Sequence, residues 1–407
     1  MSSTLEHDPR LLEEGAGLRG VLSEYGRRLR SGDIGPLPVV VALVVIGVIF
    51  QFASHGLFLT SSNLVNLTYQ MSAGGMIAVG VVLVLLLGEI DLSAGVVSGM
   101  CAAIMGVLSA KHDMGPILAI AIALGAGLGV GLIQGLWSTR LGIPSFIVTL
   151  AGQLTWSGGL LWVLGPTGTI NLRDPVITAL ATKFVNGAGA YAIGALFIVY
   201  VALGPLLTRA RRKAAGLTVP PLAFVGVRAV VIAIVVGLVV FVLDAERGIN
   251  TGLLFLVGAV IAVDFMLRRM RFGRMVYAVG GNPEAARRAG IPVRTVRTVV
   301  FMLASMFAAA GGILSASRSL SVGQSAGRGD LLLNAIAAAV IGGTSLFGGR
   351  GTVWSALLGM TVIQAISNGM DLLSLSPSIK FMITGGVLLV TVTIDAVLRR
   401  SGSNTGR

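Results

Sequence analysis

Twelve apolar runs of 17 to 25 residues fill the chain from residue 37 onward, at 37–54, 64–88, 92–110, 117–138, 144–165, 191–207, 223–243, 250–267, 295–317, 331–347, 353–373 and 378–398. A helix needs about 20 apolar residues to cross a hydrocarbon core ~30 Å thick. The runs therefore predict an all-α polytopic membrane protein of about 12 transmembrane helices, occupying residues 37–398. Only 12% of the 407 residues are charged, about half the share of a soluble domain, and no room remains for a large soluble domain. Glycine numbers 57; it weakens a helix in water but suits helices packed closely in a membrane. Pro116, Pro144 and Pro377 stand just ahead of runs, where a missing N–H costs little.

Outside the runs lie a polar tail over 1–36, one longer loop over 268–294 and a short tail over 399–407. The first tail has no apolar core of the kind a cleaved signal peptide carries, so it is expected to be retained. Its Leu11, Leu18, Leu22, Tyr25 and Leu29 recur at helical spacings, which suits an interfacial helix. Gly15, Gly17 and Gly20 weaken that pattern, and an irregular tail is the alternative.

The net charge of +13 is resolved by its position. With the N-terminus in the cytoplasm and a crossing at every run, the outside receives Lys111, Arg173, Lys183, Arg247, Arg318, Arg328 and Lys380, which leaves 23 of the 30 basic residues inside. That split predicts cytoplasmic N- and C-termini. It also argues against nucleic acid, because the arginines divide among short loops and form no single stripe. One cysteine, Cys101, and three scattered histidines, His7, His55 and His112, exclude an intrachain disulfide and offer no metal-ligand cluster. None of the four lysines precedes Ser or Thr, so no phosphate-cradling P-loop exists. No catalytic residue and no bound cofactor is expected; any ATP and Mg would be used by a separate subunit.

The loop over 268–294 is organised. Gly280 and Gly281 are read as breaking the chain, Asn282 as a helix cap, Pro283 as the first helical position and Glu284 as a favourable charge in the first turn. Ala285, Ala286, Arg287, Arg288 and Ala289 then make a short helix closed by Gly290 and Pro292. A plain connector needs neither two glycines nor a cap, whereas a short helix with small residues on its face suits a partner's groove.

Here the sequence resembles a family. The run Tyr277 to Gly290, YAVGGNPEAARRAG, is similar to the coupling loop of permease subunits of bacterial ATP-binding cassette importers, in the ribose, xylose and branched-chain amino acid permease family. Gly88 to Gly95, GEIDLSAG, resembles that family's Gly-Ile-Asp-Leu-Ser signature; Asn334 to Ser345 resembles its late glycine-rich segment, and Gln134 to Leu150 the segment after its fourth span. Glu89 departs from the small residue usual at the signature's second position, so the local electrostatics differ. Residues 191 to about 245 add two spans that ribose-type members lack, which resembles the longer xylose-type permeases. The resemblance implies a homodimer that passes a monosaccharide delivered by an extracytoplasmic sugar-binding protein, while cytoplasmic ATPases grip a coupling loop carried here by Gly281, Asn282, Pro283, Glu284, Ala285, Ala286 and Gly290.

A solute path or gate is expected at Asn66, Gln70, Glu89, Asp91, Ser93, Asn334 and Thr344. Acidic side chains are costly at mid-bilayer, so Glu89 and Asp91 mark either a broken helix beside the path or, for Asp91, an N-cap of the third span; the two are compatible. Gly342 to Gly351 reads either as a tight glycine-rich turn or as the end of a re-entrant segment, since the run before it is short for a crossing. The glycine series Gly125, Gly127, Gly129, Gly131 and Gly135 is assigned to helix contacts, because small residues four apart let helix backbones approach. The competing functions are a secondary ion-coupled transporter using Glu89, Asp91 or Asp264, a branched-chain amino acid permease of the same family, and a structural scaffold that would leave the capped helix without a purpose.

Overall fold

The computed structural model describes residues 37–214 and 222–386, with Leu389 and Thr393; both terminal tails, including the expected interfacial helix, lie outside the described residues. The chain divides into two compact units, one of Pro36–Phe184 with Asn250–Val397, the other with Val185–Ile249 as its central segment. Every apolar run contains a helix. Among the described residues, eight helices are long and apolar enough to cross a membrane. In chain order the helices are α1 (Leu37–Ala53), α2 (Ser61–Leu86), α3 (Ala94–Lys111), α4 (Pro116–Leu141), α5 (Ser145–Leu164), α6 (Pro175–Thr182), α7 (Ala188–Ala214), α8 (Leu222–Asp244), α9 (Thr251–Arg269), α10 (Arg271–Gly281), α11 (Pro283–Arg288), α12 (Val293–Ser319), α13 (Leu331–Ile341) and α14 (Trp354–Leu372). Residues 377–386 are also helical. Large apolar side chains are exposed along α1, α4 and α5, among them Phe52, Ile117 and Trp162, as a bilayer solvent allows.

The larger unit is organised around α2 and α12. Helix α2 is buried without interruption from Met71 to Leu86, and α12 approaches three helices through missing side chains. A Cβ on Gly80 would lie 2.6 Å from the Ala304 carbonyl oxygen, and one on Gly312 would lie 1.9 Å from that of Ser98. Against α4 the seam follows the spacing of four: a Cβ on Gly127, Gly131 or Gly135 would strike Ser305, Phe301 or Thr298, whereas Gly125 and Gly129 face open space. Three of the five glycines therefore make the expected helix contact. Gly142 ends α4 in the left-handed conformation, and Pro144 precedes α5 directly.

At the end of the bundle where α5 and α12 finish, a short antiparallel ribbon pairs β1 (Thr169–Asn171) with β2 (Ser321–Gly323). The chain then turns back inward. Gly106 on α3 lies beside Ile170 and Val322 of the ribbon, yet a Cβ on Gly99 would meet Ala326 and one on Gly95 would meet Gly327. The segment after β2 thus reaches about two to three turns deeper than the ribbon, ~10–17 Å along α3 at 1.5 Å per residue. From there α13 runs for 11 residues, about half the length a crossing requires. The break lies ahead of α13, and the Gly342 to Gly351 segment is the tight turn that follows it: Gly342 packs on Ser355, and Gly359 on Ala338.

The smaller unit is an antiparallel hairpin of α7 and α8, in which Gly194 lies against Val240 and the Gly187 N–H donates to Asp244 Oδ1 at 2.6 Å.

Candidate functional site

The loop over 268–294 folds into α10 and α11, joined at one residue. Asn282 ends α10 and caps α11: its Oδ1 accepts from the N–H groups of Glu284 at 3.0 Å and Ala285 at 2.9 Å. Pro283 occupies the first turn, where it forfeits no intrahelical bond. Gly290 adopts φ +79° and, with Ile291, donates back to carbonyls of the helix, the closure a left-handed glycine provides. Ala286 is buried, whereas Gly281, Asn282, Glu284, Ala285, Arg287 and Arg288 are exposed. Glu284 pairs with Arg287 and Arg288 at 3.2 and 3.4 Å, and such exposed pairs contribute little.

One expectation is corrected. Gly280 and Gly281 do not break the chain but form the last residues of α10. Their small size serves contact: a Cβ on Gly280 would lie 1.8 Å from the Leu86 carbonyl oxygen and 2.8 Å from the Gly349 nitrogen. The Gly349 N–H donates to that same Leu86 oxygen at 2.9 Å, and Tyr277 donates its hydroxyl to the Gly351 carbonyl at 2.9 Å. Three motifs far apart in sequence thereby meet backbone to backbone. Burial raises the Tyr277 hydroxyl above its ordinary range, which keeps it a neutral donor at physiological pH. Thr344 belongs to this joint: it is buried, and the backbone of Gly351 presses on it.

The signature loop leaves the joint at Gly88 (φ +75°) and carries Glu89, Asp91 and Ser93 in different directions. Glu89 pairs with Arg297 of α12 at 3.0 Å and accepts from the Ser145 hydroxyl at the start of α5. Asp91 is buried, and its Oδ1 accepts from the N–H and the hydroxyl of Ser93 at 2.8 and 2.7 Å. Ser93, and not Asp91, occupies the cap position of α3; Asp91 holds the cap from two residues upstream. Gln134 of α4 donates to the Ser93 hydroxyl at 2.8 Å, and the Leu92 N–H donates to Thr149 of α5 at 3.1 Å. Sequence reasoning did not single out Gln134, Ser145, Thr149 or Arg297. The available signal was Gln134 itself, a lone amide on the glycine-lined side of an apolar helix.

The remaining expected path residues lie elsewhere. Gln70, in the first half of α2, accepts from Gln364 of α14, and nearby Asn63 donates to Asn368 at 2.8 Å. Asn66 is exposed. Sixteen residues of helix, about 24 Å, separate Gln70 from Leu86. Asn334 on α13 donates to Asp330 at 2.9 Å. The seven residues therefore do not form one constellation: Glu89, Asp91 and Ser93 share a loop, Thr344 joins it through the glycine contacts, and Asn66, Gln70 and Asn334 are distributed along α2 and α13. No group of three His, Cys, Asp or Glu able to hold a metal exists among the described residues.

Comparison with known proteins covers nearly the same span as these elements. Residues 63–392 match the family described as branched-chain amino acid transport system / permease component. The chain is 33% identical to the xylose transport system permease protein of Escherichia coli (strain K12) over 373 residues, 91% of this chain and 94% of that one. It is 31% identical to the xylose transport system permease protein of Haemophilus influenzae, over 90% of this chain and 98% of that one. With the ribose import permease protein of Escherichia coli (strain K12) the identity is 28%, over 88% and 92%. No solved structure matches the chain. With its motifs joined at one end of a helical membrane bundle and a family match over most of its length, this chain belongs to the branched-chain amino acid transport system / permease component family and is a transport subunit, not an enzyme.

Proposed function

We propose that the chain is the membrane subunit of an ATP-binding cassette importer that passes a monosaccharide, xylose or a related sugar, across the bacterial inner membrane. The observation that carries the reading is the similarity to xylose permeases over about nine-tenths of both chains. The hairpin of α7 and α8 occupies the residues at which the sequence resembles the longer, xylose-type members. In this reading two copies form a homodimer, an extracytoplasmic binding protein delivers the sugar, and a cytoplasmic ATPase uses ATP and Mg. The ATPase docks on residues 281–290, a capped helix whose exposed face is small and polar. The 23 to 7 division of basic residues supports cytoplasmic termini.

Ion coupling is less well served by the geometry, because Asp264 pairs with Arg268 at 2.7 Å and Glu89 with Arg297, so two of the three acidic candidates face a permanent cation. The test is ATPase stimulation in the reconstituted complex across pentoses, hexoses and leucine, each presented with its binding protein. Stimulation by xylose or a related sugar is expected. Stimulation by leucine alone, or uptake by the isolated chain driven by an ion gradient, would overturn the reading.

A further inference from the structure

A pocket of about 300 Å³ opens beside α11, where the α4–α5 turn meets the start of α12. Its lining includes Arg287, Arg294, Arg297, Glu89, Thr139 and Ser145, three guanidinium groups against one lining carboxylate, with Glu284 outside the lining holding one nitrogen of Arg287 at 3.2 Å. Arg297 gives one nitrogen to Glu89, and its Nε is buried with no partner. Among the described residues the Arg294 guanidinium has no hydrogen-bond or ion-pair partner, and it is exposed at the pocket. The hydroxyls are already committed, Thr139 donating to the Gly135 carbonyl and Ser145 to Glu89. The 27-residue helix α12 also begins here, and Pro292 at its cap position supplies no side-chain acceptor, so its first N–H groups present partial positive charge. The pocket is built for an anion with several acceptor oxygens, and the planar fork of arginine matches phosphate.

Trp137 and Leu141 of α4 and Phe146, Ile147 and Leu150 of α5 flank the pocket-lining turn in sequence and are all exposed. We propose that this pocket binds a phosphate group, with the exposed apolar residues on either side of the turn favouring an anionic phospholipid over a soluble phosphate ester as its carrier. The arginines seat the headgroup phosphate, and Glu89 limits affinity by neutralising part of their charge. Occupancy would place an anion between α11 and the signature loop, tying lipid composition to the face that carries the capped helix.

Full-length chain extracted from vesicles of equal phosphatidylglycerol and phosphatidylcholine is analysed for copurified lipid by mass spectrometry. In parallel, thermal unfolding is followed in phosphatidylcholine vesicles with and without glycerol phosphate. Phosphatidylglycerol should be enriched, and Arg294→Gln should reduce the enrichment by about fivefold, the worth of one basic residue near a membrane surface. Arg274→Gln, on an exposed arginine outside the pocket, should leave it unchanged, and Glu89→Gln should raise it. Thermal stabilisation by glycerol phosphate that depends on Arg294, without lipid enrichment, would support the phosphate site and assign it to a soluble ester. No enrichment and no stabilisation, or equal loss in Arg274→Gln, would overturn the proposal.

Discussion

The seam between α4 and α12 and the joint among Leu86–Gly88, Gly280–Gly281 and Gly348–Gly351 are both made of glycines, yet they are built differently. In the seam, Gly127, Gly131 and Gly135 lie one turn apart on a single helix and admit a second helix along its length. Such an interface resists motion, because every turn repeats the contact. In the joint, glycines from three separate segments meet at one point, through the Leu86 carbonyl and the backbones of Gly280 and Gly349. In the proposed reading, a displacement of α10 is passed there directly to the signature loop and to the turn after α13, so that the first arrangement stabilises and the second transmits.

Breaking the joint should therefore have the largest functional effect. A side chain at Gly280 would meet the Leu86 carbonyl oxygen at 1.8 Å, a rigid backbone atom that cannot rotate away. Gly280→Val is expected to abolish ATP-driven uptake in protein that still inserts into the membrane, measured as transport beside surface abundance. Normal uptake by this variant would show that the joint is not a transmission point.

The seam tests the other half of the comparison. Gly131→Val places its side chain 2.3 Å from the Phe301 carbonyl oxygen, while Gly129→Val enters open space. The first should destabilise by about 1–3 kcal/mol and the second by less than about 0.5 kcal/mol, read as unfolding midpoints in detergent. Equal midpoints would remove the distinction between the two faces.

Most of this difference was legible from spacing on one side and not on the other. Periodicity is a property of one helix, so the α4 face and the capped α11 could be read directly from the sequence. Joints between segments carry no period. Gly280 appeared as a chain breaker because in isolation glycine disfavours helix, whereas its partner Leu86 lies 194 residues away. The half-helix α13 was visible only as a run shorter than a crossing; its missing half is replaced by the segment around Ala326 and Gly327, which is recognisable only once Gly95 and Gly99 are seen to admit it. Asp91 and Ser93 were identified as polar residues at a helix break, but Gln134 and Thr149, which hold that loop, come from helices with no sequence mark of proximity.

Glu89 ties the joint's neighbour to the bundle. Its carboxylate is mostly buried between Arg297 and Ser145, so Glu89→Gln leaves a half-buried guanidinium without its counter-charge. A loss of about 1–3 kcal/mol is expected, with uptake falling severalfold. Pairing Glu89→Gln with Arg297→Gln in a double-mutant cycle should recover part of the loss; strict additivity would show that the pair is not coupled.

The smallest effect is expected at the cap that fixes α11 to the joint. Asn282 supplies both acceptor contacts to the first N–H groups of that helix, and removing such a cap costs ~1 kcal/mol. Asn282→Ala should therefore leave global stability nearly unchanged, because α11 has only six residues and little of the core depends on it. Its effect belongs to the orientation of the exposed face, so crosslinking between Glu284→Cys and the ATPase should fall by about fivefold while the unfolding midpoint holds. Asn282→Asp, which caps equally well, should restore the crosslink. A crosslink that responds to neither substitution would mean that α11 is positioned by the buried Ala286 and the Gly280 contact alone, and the joint would then extend through the whole of α10 and α11 as one rigid piece.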